Sequence, residues 1–442
     1  MAIIVVPVWP GRLNFDTDRQ IADARNGDIN DVFSPLLTLL WRPFLRAGIG
    51  PSLVLVVQVV VIVLAVAAIA RSFGHSRRMA ALLTAGFCLS PWVLAVEIAV
   101  TRDGWFLAFV LASVAVAVHP TMPTRPRVVL LLVGAFLIQT ARQNGLFLIV
   151  PLLAWPSWQL LRRVGWRRPS VRVLAAAVMG LTCTVAVFAV HQVVVNVIGT
   201  RVAGPESVTY VVDLDEMSSR VGEVLLPASA TRVPLTLDYL DQTSVYSMDT
   251  LFYADRMVKL RMPAGPRSDV AEAWRQAIRE HPLEYFHARW KLFTRQIGWS
   301  GPSVVAFLPA SGTSSVVRGP ALAGPSDVVS WYLNLFTDSG RWWAPGWVHR
   351  PWIWLALAAA VAAARRAWQH WYLFAMAMCH TIGLFVVATT LQYRFIEPAL
   401  VLCVLSVTMS LPHAVAGIGR WGSARRARQM AGYDGYSNES ST

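Results

Sequence analysis

Five aspartates crowd the start of the chain: Asp16, Asp18, Asp23, Asp28 and Asp31, in a polar stretch over residues 10–50 that leads into long apolar runs. A carboxylate facing an apolar bundle can take a proton from a hydroxyl group, or steady the positive charge that develops on a sugar ring. Taken alone, the same acids could be solvated and paired with Arg12, Arg19 and Arg25. A second acid stands in Thr101-Arg102-Asp103-Gly104, between two apolar runs. Arg102 and Asp103 either end their helices and pair with each other, or bring another carboxyl beside the first stretch. Arginines make the third group: Arg142 in Ala141-Arg142-Gln143-Asn144-Gly145, and Arg394 in Gln392-Tyr393-Arg394-Phe395. A guanidinium stays charged and grips phosphate in a forked geometry, although arginines at helix ends also snorkel.

The elements that must position these groups are membrane helices. Apolar residues make up 55% of the chain and charged residues 14%, against roughly 25% charged in soluble domains. Runs such as Leu53–Ala70, Val173–Val195, Trp352–Ala364 and Leu400–Leu411 reach or approach the length that crosses about 30 Å of hydrocarbon. Spans are expected near 51–70, 79–100, 103–118, 128–142, 145–161, 172–196, 346–364, 371–390 and 395–411. The fold class that follows is an α-helical polytopic membrane protein of about nine to ten spans with one mixed, mainly helical extracytoplasmic domain.

The net charge of +14 would suit nucleic acid if it were spread over the surface. Instead the arginines sit in alternate loops: Arg71, Arg77 and Arg78; Arg125 and Arg127; Arg162, Arg163, Arg167, Arg168 and Arg172; Arg365 and Arg366; then the tail with Arg420, Arg425, Arg426 and Arg428. These segments hold no acid before Asp434. That is a cytoplasmic-face pattern, and it excludes a nucleic-acid footprint. Residues 10–50, the turns at 102–103 and 142–144, the stretch 197–345 and residues 392–394 then fall on the extracytoplasmic side of a cell membrane. The expected division is an N-terminal membrane module (1–196), an extracytoplasmic domain (197–345), C-terminal spans (346–411) and a basic cytoplasmic tail (412–442). Met1–Trp9 is apolar but only about half a span long, and it lacks the features of a signal peptide. A first helix lost to a late start site is the expectation there.

Within 197–345, Val208–Val212 and Val221–Leu226 read as β-like patches. Asp269–Ile297 reads as helix from its apolar spacing, capped by Ser268 or Asp269 and broken or kinked at Pro282. Gly298–Pro325, rich in Gly, Ser and Pro, reads as a mobile cover. Trp274, Tyr285, Trp290 and Trp299 read as packing rather than a sugar platform, and Trp342 and Trp343 as an interfacial belt. Cys88, Cys183, Cys379 and Cys403 all lie in apolar runs, so neither a disulfide framework nor a metal motif is indicated. His281, His287 and His349 lack metal-ligand spacing.

Taken in order, these pieces resemble the GT-C superfamily of integral-membrane glycosyltransferases, in the bacterial branch related to protein mannosyltransferases and aminoarabinose transferases. The matching segments are Asp16-Thr17-Asp18-Arg19-Gln20, Asp31-Val32-Phe33-Ser34-Pro35-Leu36, Arg102-Asp103, Arg142-Gln143-Asn144-Gly145, Trp274–Tyr285 with His281-Pro282, and Tyr393-Arg394-Phe395-Ile396-Glu397-Pro398. The resemblance implies a GT-C-like fold and inverting transfer of a sugar from a polyprenyl-phosphate donor to an extracytoplasmic glycan, lipid or protein. It implies Asp16 as general base, with Asp18 as rival and Asp31 as a further candidate. Asp103 matches the acid of the second outer loop. Arg394 and Arg142, with Arg102, would hold the donor phosphate. No cofactor or metal is assigned, which leaves room for a divalent cation. Thr17 and Asp18 stand where the family usually pairs Asp with Glu, and Phe33-Ser34-Pro35 where relatives often show His-Pro. Three other classes compete: a polysaccharide polymerase or ligase, a lipid or small-molecule transporter, and a non-catalytic assembly scaffold. A transporter predicts charge at mid-membrane, where only Glu97, His191 and His380 come near.

Overall fold

The computed structural model describes residues 15–27, 29, 34–48, 51–97, 101–163, 168–198, 200, 206–243, 268–300, 350–388 and 393–436. Asp28, Asp31, Trp342, Trp343 and His349 lie outside the described residues, as does nearly all of the expected cover over 298–325; so do the side chains of Asp16 and Glu97.

The polar start of the chain folds as two short helices, α1 (Phe15–Asn26) and α2 (Pro35–Arg46). The membrane module follows as α3 (Pro51–Ser72), α4 (Arg77–Cys88), α5 (Pro91–Glu97), α6 (Arg102–Val118), α7 (Thr124–Ala141), α8 (Leu146–Arg163) and α9 (Pro169–Val197). The polar domain contributes α10 (Glu206–Val221), α11 (Leu237–Thr243), α12 (Asp269–Glu280) and α13 (Pro282–Gln296). The chain closes with α14 (Pro351–Arg365), α15 (Trp368–Val387) and the long α16 (Glu397–Tyr436).

Among the described residues, six helices are long and apolar enough to cross a membrane: Leu53–Ser72, Thr124–Ala141, Gln143–Arg162, Pro169–Val197, Trp368–Val387 and Glu397–Ala416. Helix α9 makes the case for a lipid environment. Only 22% of its most apolar window is buried, and Val173, Leu174, Val185 and Val193 are each more than half exposed. A surface of this kind suits a lipid bilayer.

Two expectations differ from the structure. The run 79–100 is not one helix: α4 ends at Cys88 and Pro91 starts a separate α5. Proline has no N–H to donate and forces the preceding residue out of the helical region. Neither Val208–Val212 nor Val221–Leu226 is β-like: the second leaves the end of α10 as irregular chain, the first lies inside α10, and no strand occurs among the described residues. The valines of α10 form one helical stripe: Val211 and Leu214 are wholly buried against Leu240, Val270 and Ala277. That packing outweighs β propensity, which is weak when burial decides.

Lipid tails are as apolar as leucine, so close fit rather than water exclusion joins the spans. Gly180 on α9 shows this. A Cβ there would stand 2.8 Å from Val150 O and from the Ala154 side chain on α8. One end of the bundle is closed by histidines. His75 Nε2 donates to Met409 O (2.9 Å), His370 Nδ1 meets Ser406 Oγ (2.9 Å), and the His75 and His413 rings lie 5.4 Å apart. The opposite end carries Asp103, Arg142, Arg394 and Glu397.

Candidate functional site

Each charged group is placed by a helix terminus. Thr101 caps α6, its side chain accepting from Gly104 N at 3.1 Å, which sets Arg102 and Asp103 in the first turn. An acid there also faces the positive end of the helix dipole. Helix α7 stops at Ala141. Arg142 takes an extended backbone (φ −150°, ψ 135°) before a single 3₁₀ turn over Gln143–Gly145. Tyr393–Phe395 forms another such turn, and Glu397 opens α16.

These termini meet. Arg142 forms an ion pair with Asp103, and both side chains are nearly buried. Arg102 and Arg394 lie within electrostatic range of Arg142. Glu397, also buried, lies within range of Asp103 and Arg142. Phe395 sits among them, with Arg142 Cζ 5.1 Å and Arg394 Cζ 5.6 Å from its ring centre, both at cation–π distance. Burial draws the Arg142 guanidinium down to about 10; Asp103 opposes this, and Arg102 and Arg394 reinforce it. It remains a full cation at neutral pH. Three guanidiniums and two carboxyls thus come within electrostatic range of one another around Arg142, and a guanidinium grips an anionic oxygen in a forked geometry.

The first helices reach the same end of the bundle. Ser34 caps α2 by accepting from Leu37 N (3.3 Å), and its Oγ donates to Thr140 O, two residues before Arg142. Gln20 on α1 donates to Thr38 Oγ1 at 3.0 Å, so α1 and α2 dock as a pair. Asp16 lies in the first turn of α1. Asp18 is half-buried, and its Oδ1 is shielded without a hydrogen-bond partner among the described residues. The structure therefore joins Asp103, Arg142, Arg102 and Arg394, and sets the helix bearing Asp16 and Asp18 at the same end.

Two residues of this site are not singled out by sequence reasoning. Glu397 is visible only as part of a motif. His380 stands out only as an ionisable group in a span. It is fully buried, and its Nε2–H donates to Phe395 O at 2.8 Å, which fixes the turn between Arg394 and Glu397. No local sequence signal marks either role, because both arise from contacts across the bundle.

A second polar junction ties the polar domain to the spans. Arg289 on α13, 1% exposed, donates to Asp213 Oδ2 (2.6 Å) on α10 and to Ala388 O (2.7 Å) at the end of α15. Trp274 Nε1 on α12 donates to the same Asp213 oxygen at 2.8 Å. Burial pushes the Asp213 carboxyl upward, against the pull of Arg289 and Trp274. Lys291 pairs with Glu216 at 2.6 Å. Ala388 lies a short way before the turn that carries Arg394.

Among the described residues no group of three or more His, Cys, Asp or Glu could hold a metal ion, and all four cysteines are free thiols. No protein-family model matches the chain, and comparison with curated proteins and with solved structures yields no match.

Proposed function

We propose that the protein is a multi-pass membrane glycosyltransferase of GT-C type. It takes a sugar from a polyprenyl-phosphate donor and delivers it to a cell-envelope glycan, lipid or protein on the extracytoplasmic side of the cell membrane. The single observation that carries this reading is the cluster in which Arg142 pairs with Asp103 within reach of Arg102, Arg394 and Glu397. Its guanidiniums stand at helix ends, the height at which a lipid-borne phosphate would sit at a membrane boundary.

The chemistry runs as follows. A first-loop carboxylate, Asp16 or Asp18, takes the proton of the acceptor hydroxyl. The acceptor oxygen bonds to the anomeric carbon from the face opposite the phosphate, which inverts that centre. The bond from this carbon to the phosphate oxygen breaks, and polyprenyl phosphate leaves with the electron pair. Guanidiniums aimed at the phosphate stabilise the charge it gains, an effect that grows where water is excluded. No metal is assigned a step.

A transporter fits less well, because the charged cluster lies at helix ends rather than along a path through the bilayer. A polysaccharide polymerase or ligase would use the same guanidiniums on a lipid diphosphate. The test offers the purified protein in nanodiscs a panel of polyprenyl-phosphate and polyprenyl-diphosphate sugars. Binding or consumption of a monophosphate-linked sugar is expected. Turnover of diphosphate-linked donors alone would favour the polymerase or ligase, and no engagement with either would end the transferase reading.

A further inference from the structure

Helix α13 has two unlike faces. Ala288 and Arg289 point inward, with 4% and 1% exposure. Leu283, Phe286 and Trp290 point outward, with 68%, 51% and 50% exposure. The outward residues, with Phe293, recur at helical spacing and form one apolar stripe. Phe286 and Trp290 stack at 6.2 Å with 12° between their planes, and Trp290 contacts Phe293 at 6.0 Å. Trp290 packs on Phe286 and Phe293 yet keeps half its surface open, unlike Trp274, which packs on Tyr210. A stripe of large aromatics facing water would be costly.

The stripe continues onto helices read as spanning the membrane. Phe286 and Phe293 each lie 5.7 Å from Phe385, two residues before the end of α15. At about 1.5 Å per residue this places the contact roughly 3 Å from the helix end. Ile382 and Val386, on either side of Phe385, are 58% and 54% exposed in the same apolar span. At the other end of α13, Ile297 O accepts from Trp352 N at 3.2 Å, and Trp299 packs edge-on against Trp352 at 5.1 Å. Trp352 stands in the first turn of the apolar α14. Helix α13 thus runs along the rim of the bundle, between the end of one apolar helix and the start of another.

We propose that α13 is an interfacial helix whose Leu283–Phe286–Trp290–Phe293 face lies in the bilayer, at the boundary between acyl chains and headgroups. The occupant of this face is lipid, because the face is continuous with the exposed apolar surface of α15. Aromatic residues favour that depth, and an amphipathic helix binds there through its apolar area. Arg289, on the inward face, then fastens the polar domain and the Ala388 carbonyl to a helix held at membrane level. This placement holds whether or not the protein transfers sugar.

The test labels single positions in the full chain, reconstituted in phosphatidylethanolamine–phosphatidylglycerol nanodiscs. The variants are Leu283→Cys, Phe286→Cys and Trp290→Cys, with Gln276→Cys on exposed α12 as control, each in a background with the four native cysteines changed to alanine. Spin-label collisions with oxygen are compared with collisions with a water-soluble nickel chelate. The three α13 labels should meet oxygen and lose the nickel effect, with the reverse at Gln276→Cys. Strong nickel collisions at 286 and 290 would overturn the proposal. Shielding from both reagents would overturn it as well, since it would mean a protein surface covers the face. A chain with native cysteines and benzoylphenylalanine in place of Trp290 gives a second readout. Irradiation should yield phospholipid adducts, and purely protein adducts would count against the placement.

Discussion

Arg142 and Asp103 close an ion pair between the extended residue after α7 and the first turn of α6. The pair joins two helix ends that are remote in sequence and neutralises two charges that are nearly out of water. Neither residue can change without consequence for the other.

Asp103→Asn leaves Arg142 buried with its main counter-charge gone. Breaking a buried pair in this way costs about 3–5 kcal/mol, whereas replacing both partners with apolar residues is often far milder. Thermal unfolding in detergent should therefore show a lower midpoint for Asp103→Asn than for the double change Asp103→Leu with Arg142→Met. Transfer should be lost in both. Equal stability of the two would show that the pair carries no mutual dependence.

Arg394→Ala should weaken donor binding with little effect on folding. A desolvated charge-assisted contact is worth roughly 2–5 kcal/mol. Arg394→Lys should recover part of that, since a point charge lacks the forked geometry. Affinity for a polyprenyl-phosphate sugar, measured in nanodiscs, decides it. Unchanged affinity in Arg394→Ala would remove this residue from the phosphate site.

Asp16→Asn or Asp18→Asn should abolish transfer while the protein stays folded and inserted. The general base is the one whose asparagine variant still binds donor but turns none over. General-base removal typically costs about 100- to 10,000-fold. Full activity in both variants would eliminate the first helix as the source of the base.

Arg289→Met strands Asp213 in a buried site and frees the Ala388 carbonyl. A destabilisation of about 3–5 kcal/mol is expected, and Arg289→Met with Asp213→Leu should restore much of it. Hydrogen exchange over the segment around 388–395 should quicken in the single variant. Unaltered exchange there would show that the polar domain does not hold the turn bearing Arg394.

Much of the frame can be read from composition and order. Long apolar runs mark the six helices that satisfy span length and hydropathy. Ser268 caps α12, accepting from Ala271 N at 3.3 Å, and Pro282 separates α12 from α13 as local rules predict. The site is legible only in part. Asp103, Arg142 and Arg394 stand out as charges at the ends of apolar runs. That Asp103 chooses Arg142 over adjacent Arg102 depends on how α6 and α7 cross, which no local pattern encodes. His380 and Glu397 acquire their roles from partners in other helices. Valines over 208–212 suggest a strand because propensity counts a residue's type, not the buried surface it meets. Trp290 illustrates a related point: aromatic spacing predicts a helix face but not what lies beyond that face.

Asp103 and Arg142 belong to the first third of the polypeptide, Arg394 and Glu397 to its last stretch. At translation speeds of about 5–20 residues per second, roughly 10–50 s separate their emergence from the ribosome. The early pair can neutralise itself long before the late one arrives. A half-synthesised bundle therefore holds Arg142 and Asp103 already paired while it waits in the insertion machinery, and Glu397 enters a niche that Arg142 already occupies.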